Sequence, residues 1–401
     1  MSKALLPSLA VLFAGLAAPG AAGPNQTVTG PEADYWVSAA TTSGLAGMMG
    51  SGGRPSMGAI MGMALSGGPN QGPSHSLLLQ LGSRLAPQGP PQADHLPPPG
   101  LNGGAPLPLV TPQPAAPAPS GGREGSDQVD RFRQQRPDGR ILIYWGCGEH
   151  APPNQPIVVE FASLANDPQA MARLGRAMGG MQVSEQNPPS PTRWTTYGEW
   201  PNARSGGPPT GSLIGPHQVH GDYSPDIAFT LGPDQDFMGP IKLDTANRLP
   251  SGAVELRWGD VAEARAFYAT VMGAGADKTM VLWSSSTPGP GGMVAPSYLT
   301  NGDIRRLTTD GYLMNSDAHT CAVPAEVVQA ARSGMTNMTA YGGEASFAYP
   351  ERPADPRIPW HIKWTVKVRY RSATMGMLGQ SMPSSDRPRR PGFPGLPIPH
   401  F

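Results

Sequence analysis

Ile362-Lys363-Trp364-Thr365-Val366-Lys367-Val368-Arg369-Tyr370 alternates apolar and polar residues along its whole length. Strand side chains point to opposite faces in turn, so Ile362, Trp364, Val366, Val368 and Tyr370 share one face. Lys363, Thr365, Lys367, Arg369 and Arg371 occupy the other. A helical period of 3.6 would scatter both sets around the axis. The stretch therefore predicts a strand with a core face and a solvated face, as antiparallel sheets commonly show. A basic docking surface is the alternative use of the charged face.

The same rhythm recurs upstream. Ala33 to Gly44 (ADYWVSAATTSG) and Ser74 to Leu85 (SHSLLLQLGSRL) read as strands, the second with Leu77, Leu79 and Leu81 on one face. From about Val129, the runs GRILIYWGCG, QPIVVEFASL, TRWTTYGEW, GSLIGPHQVHG, DIAFTLG and GPIKLDT follow one another with Gly and Pro in the gaps. Short strands with turn chemistry between them are the mark of an all-β chain. One helix interrupts them, DPQAMARLGRAMGGM, where Met171, Leu174 and Met178 fall on one face and Gly179-Gly180 end it.

Val254 to Gly273 (VELRWGDVAEARAFYATVMG) carries the spacing Leu256-x-Trp258-x-x-Val261-x-x-Ala264-x-x-Phe267-Tyr268. This resembles the second and third strands of fibronectin type III-like sandwiches, in which an inward Trp packs against an aromatic of the neighbouring strand. TMVLWSSS, HTCAVPAEVV, NMTAYGG and WHIKWTVKVRYRS supply later strands, and the resemblance spans about residues 240–373. The stretch GGEASFAYPERPADPRIPWH before the last strand departs from that family's compact pattern. Members of the family are mostly binding or spacer modules, so the resemblance implies no catalytic residues.

The fold expectation is all-β, with two consecutive β-sandwich-like domains joined and flanked by Gly/Pro/Met-rich flexible segments. Residues 1–22 read as a signal peptide: Lys3, an apolar run from Ala4 to Leu16, then the small residues Gly20-Ala21-Ala22. That run, interrupted by Pro7 and Gly15, is short for a bilayer span, and no later segment is long and apolar enough to be one. Residues 23–126 form an irregular region with two strands. Its Pro-rich part, ending near Gly122, favours extended polyproline geometry and reads as a linker or wrapping segment. Residues 127–239 form a β-rich domain and 240–373 the fibronectin type III-like one. Residues 374–401 form a flexible Pro-rich tail.

Lys+Arg and Asp+Glu are both 29 in 401 residues, so no global field argues for nucleic acid. Charged residues make up only 14% of the chain, against roughly 25% in a typical globular protein. Only five of the basic residues are Lys, and the Arg, Ala, Gly and Pro bias suggests a GC-rich bacterial genome.

Cys147 and Cys321 are the only cysteines. In an exported chain an even count invites a disulfide, but the two fall in different expected domains, and a bridge needs Cα atoms within about 7 Å. Two buried free thiols are the competing reading. Cys147-Gly148-Glu149-His150 suggests a nucleophile with an acid/base partner, yet along a strand His150 points away from Cys147 and Glu149. No catalytic residue is assigned. His217 and His220 form an HxxH pair, weak as a metal site because zinc needs three or four convergent ligands. Met48, Met49, Met57, Met61 and Met63 cluster in one segment, and thioethers suit Cu(I).

No Gly-rich phosphate loop, G-x-S-x-G elbow or HExxH is present. Among the eight Trp, the loop residues Trp200 and Trp360 are the candidates for stacking on sugar rings. The leading expectation is an exported, non-catalytic surface or interaction protein without a cofactor, in the periplasm, at the cell surface or outside the cell. Its partner would be a cell-surface protein or polysaccharide. A carbohydrate-binding or carbohydrate-active protein using the loop Trp residues is the alternative. Periplasmic copper handling through the Met-rich segment is a second.

Overall fold

The computed structural model describes residues 26–45, 72–112, 138–164, 167–179, 181–202, 208–292 and 294–380. The expected signal peptide, the segment holding Met48 to Met63, and residues 381–401 lie outside them. Among the described residues strand accounts for 42% and helix for 11%, so the structure is mostly β. In chain order the strands begin with β1 (Val28–Thr29), β2 (Ala33–Ser43), β3 (Ser74–Ser83), β4 (Ala93–Leu96) and β5 (Leu107–Pro108). β6 (Arg140–Trp145), β7 (Ile157–Glu160), β8 (Thr196–Trp200), β9 (Gly215–Gly221) and β10 (Ile227–Leu231) follow. Next come β11 (Asp244–Arg248), β12 (Val254–Arg257), β13 (Ala266–Ala274), β14 (Thr279–Ser284) and β15 (Met314–Asn315). The last are β16 (Thr320–Val323), β17 (Ser333–Tyr349), β18 (Trp360–His361) and β19 (Trp364–Met377). The helices are α1 (Phe161–Leu164), α2 (Pro168–Gly179), α3 (Asn301–Thr309) and α4 (Ala325–Ala330), and no helix among the described residues is long and apolar enough to cross a membrane.

A ten-stranded sheet in the order β7-β6-β14-β13-β17-β19-β2-β3-β8, with β15 added beside β13, organises the molecule. β19 lies parallel to β2, and β14 parallel to β6. Strands from all three expected regions therefore pair in one sheet, and the expected divisions at 126/127 and 239/240 do not fall between sheets. Sequence rhythm reports most of the longer strands but not their partners, and Trp364 lies beside Ala33, more than three hundred residues away.

Alternation along the strands decides what each face buries. Tyr35, Val37, Leu79, Leu81, Val366 and Val368 point to one side. There they join Val219, Ile227 and Phe229 of a four-stranded sheet (β10-β9-β4-β5) and Val254, Leu256 and Val323 of a three-stranded sheet (β11-β12-β16). Burying each large aliphatic contributes about 1.5–3 kcal/mol, so this interlayer cluster is the main source of cohesion. Thr41 and Ser43 tie the layers further by donating hydrogen bonds to the carbonyls of Met238 and Ile241. The expected packing of Trp258 on Phe267 is present, with ring centroids 5.4 Å apart, although Phe267 lies in the large sheet and Trp258 directly follows β12 of the three-stranded one.

On the opposite side of the large sheet, Ile304 and Leu307 of α3 cover Tyr268 and Tyr341. Phe161, Leu164 and Leu174 cover Ile141, Ile143 and Leu282. The helix expected around Leu174 is thus α2, with Leu174 packed and Met171 52% exposed.

β17 runs through the stretch that departed from the compact pattern. GGEASFAY is no insertion but the second half of a 17-residue strand, with a register shift between Tyr341 and Gly343. Gly343 has φ +84°, the left-handed region in which a Cβ is strained, so the bulge falls where the sequence supplies glycine. The extra residue resets the alternation: Met338 and Ala340 face the interlayer core before it, and Ala345 and Phe347 after it. At the other end, β19 continues to Met377, so the expected tail boundary at 374 cuts a strand that pairs with β17 as far as Met335.

Candidate functional site

The back face of β19 is not simply solvated. Arg369, expected in water, is 9% exposed. Its guanidinium lies 4.8 Å from the Trp36 ring centroid and 4.4 Å from that of Tyr298, while Nε donates to Ser38 Oγ (2.7 Å) and Nη1 to Gln186 Oε1 (3.0 Å). Lys367 Nζ sits 4.9 Å from the Trp36 ring and 3.2 Å from Glu344 Oε2, and Arg371 lies 5.2 Å from Tyr298. The cations therefore form a ladder against aromatic rings, each contact worth roughly 0.5–2 kcal/mol depending on desolvation.

This ladder ends in a cleft of about 490 Å³. Its floor is built by the strands: Asp34 and Trp36 from β2, Thr365 and Lys367 from β19, Ser346 and Ala348 from β17. Its wall comes from the connection after β17, through Glu351, Arg352 and Trp360. Asp34 accepts hydrogen bonds from Trp36 Nε1 (2.8 Å) and Thr365 Oγ1 (2.7 Å), which fix the indole and the carboxylate together. Burial raises the Asp34 pKa above the usual carboxylate value, while these two hydrogen bonds and Lys367 oppose the shift. Trp360 is half-buried. Its Nε1 donates to the Pro350 carbonyl (2.9 Å), its backbone pairs β18 with β1, and the Arg352 guanidinium lies 5.8 Å from its ring. A held aromatic ring, a half-buried carboxylate and two cations around a mostly apolar recess suit a ligand with flat hydrophobic faces and hydroxyl groups at its edges.

Trp200, the other stacking candidate, corrects the sequence expectation. It ends β8 in the interlayer core at 3% exposure, with no ring face for a ligand. Periodicity around TRWTTYGEW does not reveal this, because the covering residues come from distant segments.

His217 and His220 do not converge. On β9 they point to opposite faces: His217 is 1% exposed, whereas His220 is exposed and bonds Asp226 Oδ1 at 2.8 Å. Among the described residues no group of three or more His, Cys, Asp or Glu could hold a metal ion. His217 instead joins a buried chain that the sequence did not announce. Leu213 O lies 2.6 Å from His217 Nε2, His217 Nδ1 lies 3.1 Å from His95 Nε2, and His95 Nδ1 lies 2.8 Å from the Tyr35 hydroxyl. A carbonyl only accepts, so neutral His217 carries its proton on Nε2 and accepts on Nδ1. His95 then donates from Nε2 and accepts from Tyr35. Burial lowers the pKa of both histidines, and for His95 the neighbouring His217 lowers it further. His95 lies in the stretch read as a Pro-rich linker, where ADHL forms β4.

Cys147 and Cys321 are joined, with Cα atoms 5.1 Å apart. The bridge ties the loop after β6 to β16, so one half sits in water and the other in the core, and the two cysteines expected in different domains meet where the large and three-stranded sheets pack. No thiol nucleophile remains at Cys147. His150 Nδ1 lies 3.1 Å from Glu326 Oε1 and serves that local contact.

These features define a mostly β scaffold with an aromatic cleft on one face. Comparison of the chain with family models, curated proteins and solved structures finds no match.

Proposed function

We propose that the chain is an exported, non-catalytic interaction protein that binds a saccharide in the Asp34–Trp36–Trp360 cleft. The observation that carries this reading is Trp360: a half-buried indole, pinned through its N–H and its backbone, walling a recess with carboxylate, guanidinium and ammonium groups in reach. Sugar rings present C–H faces to aromatic rings and hydroxyls to charged side chains, so the chemistry of both partners matches. A surface polysaccharide is the natural source of such a ligand for a protein outside the cytoplasm. The Cys147–Cys321 bridge is consistent with an oxidising compartment. A sandwich-type, fibronectin type III-like arrangement over residues 240–373 is proposed with it, supported by the Trp258–Phe267 packing between layers.

Glycan-array or polysaccharide pull-down binding tests the reading. Retention by the unaltered chain and loss in Trp360→Ala is the expected outcome. Binding that survives Trp360→Ala unchanged would move the site elsewhere.

A further inference from the structure

The end of the large sheet remote from the Trp360 cleft carries methionines on four adjacent strands. Met272 of β13 stands directly opposite Met335 of β17, and Met335 directly opposite Met377 of β19. Met280 of β14 pairs with Ala274, two residues along β13 from Met272, and Met375 lies two residues before Met377 on the same face. Met272 is 48% and Met280 39% exposed, and the other three are half-buried. Alternation puts these side chains on the face away from the interlayer core, where solvated strands ordinarily carry polar residues.

We propose that Met272, Met335 and Met377, flanked by Met280 and Met375, form a thioether site for a single Cu(I) ion. Directly opposed residues on neighbouring strands have Cβ atoms about 4.5–5.5 Å apart. The unbranched Met side chain has three rotatable bonds, so three sulfurs from one cross-strand row can turn onto a common point. Thioethers are soft, neutral donors that select Cu(I) over the harder divalent ions. The neighbouring positions on this face are Thr270, Leu282, Asn337 and Ala373, so no cation on them opposes a monovalent ion. The ion is bound as supplied, without change of oxidation state. This site does not rest on the saccharide reading, and its residues are separate from Met48, Met49, Met57, Met61 and Met63.

The test is anaerobic titration of the full chain with Cu(I) against a chromogenic Cu(I) chelator. The unaltered chain is expected to withhold one Cu(I) that the M272L/M335L/M377L variant loses. A variant with Met48, Met49, Met57, Met61 and Met63 changed to Leu is expected to keep it. Equal uptake by the M272L/M335L/M377L variant, or no uptake by the unaltered chain, overturns the proposal. A second measurement does not depend on how the variants fold. Ag(I), added to unaltered chain labelled at the methionine methyls, is expected to shift the Met272, Met335 and Met377 resonances. Resonances that stay in place overturn the assignment.

Discussion

His95 Nε2 and His217 Nδ1 lie 3.1 Å apart between two β layers, each ring nearly sealed from water, and a single proton direction runs from Tyr35 through both to the Leu213 carbonyl. Protonating either ring removes an acceptor and places a cation among buried apolar neighbours, His95 against Tyr35 and His217 against Phe229. Both pKa values lie below the ordinary 6.5, so the unfolded chain binds protons that the folded chain refuses. Stability from this pair is full above pH 6.5 and is lost as pH falls toward the folded values. Urea unfolding between pH 7 and 4.5 is expected to show a falling midpoint. Asp303 and Glu326, whose pKa values are lowered by hydrogen bonds that outweigh burial, add their losses only below the ordinary carboxylate range. A midpoint independent of pH across that window would contradict the buried chain.

The disulfide closes a separation of 174 residues and joins the loop after β6 to the three-stranded sheet. Reduction, or the double change Cys147→Ser and Cys321→Ser, is expected to cost about 2–5 kcal/mol. Thermal unfolding with and without reductant reads this directly, and an unchanged Tm would show that the bridge adds no constraint.

Trp200 and Trp360 should separate cleanly. Trp200→Ala removes a large ring from the core and is expected to cost about 3–5 kcal/mol. Trp200→Phe keeps most of the volume and should leave saccharide binding intact. Trp360→Ala should do the reverse, with little loss of stability and loss of binding. Calorimetric unfolding beside a binding assay checks both.

Arg369→Ala deletes the cation between Trp36 and Tyr298 and leaves Ser38 without its donor. The expected cost is about 2–4 kcal/mol, combining a charged hydrogen bond with cation–π contacts. Arg369→Lys should recover only part of it, because an ammonium cannot reproduce the planar fork that reaches Ser38 and Gln186 together. Chemical denaturation of the two variants measures the difference.

Much of the local structure was legible in the sequence. Leu77, Leu79 and Leu81 bury as their spacing requires, and the Trp364 to Tyr370 alternation holds. What the chain did not reveal is pairing between distant segments. Arg369 looks solvent-facing until Trp36 and Tyr298 are brought against it. Trp200 looks like a loop residue until the interlayer core closes over it. Of the cleft, Trp360 was visible as a candidate, but Asp34 and Trp36 enter only because β2 lies parallel to β19. The stretch GGEASFAYPERPADPRIPWH stood out only as a departure from the compact pattern, and the effect of its bulge, one strand continuing past it with its faces exchanged, is a property of the ladder and not of local preference.

The central claim is that the Trp36–Trp360 cleft holds a saccharide. The indole N–H resonances of the nitrogen-labelled full chain, followed during titration with soluble oligosaccharides of several linkage types, test it most directly. Trp36 and Trp360, which line the cleft, are expected to shift in a saturable way, while Trp200, Trp258 and Trp283, which do not, stay in place. Titrations that leave Trp36 and Trp360 unmoved, or that move only the rings outside the cleft, would contradict the account.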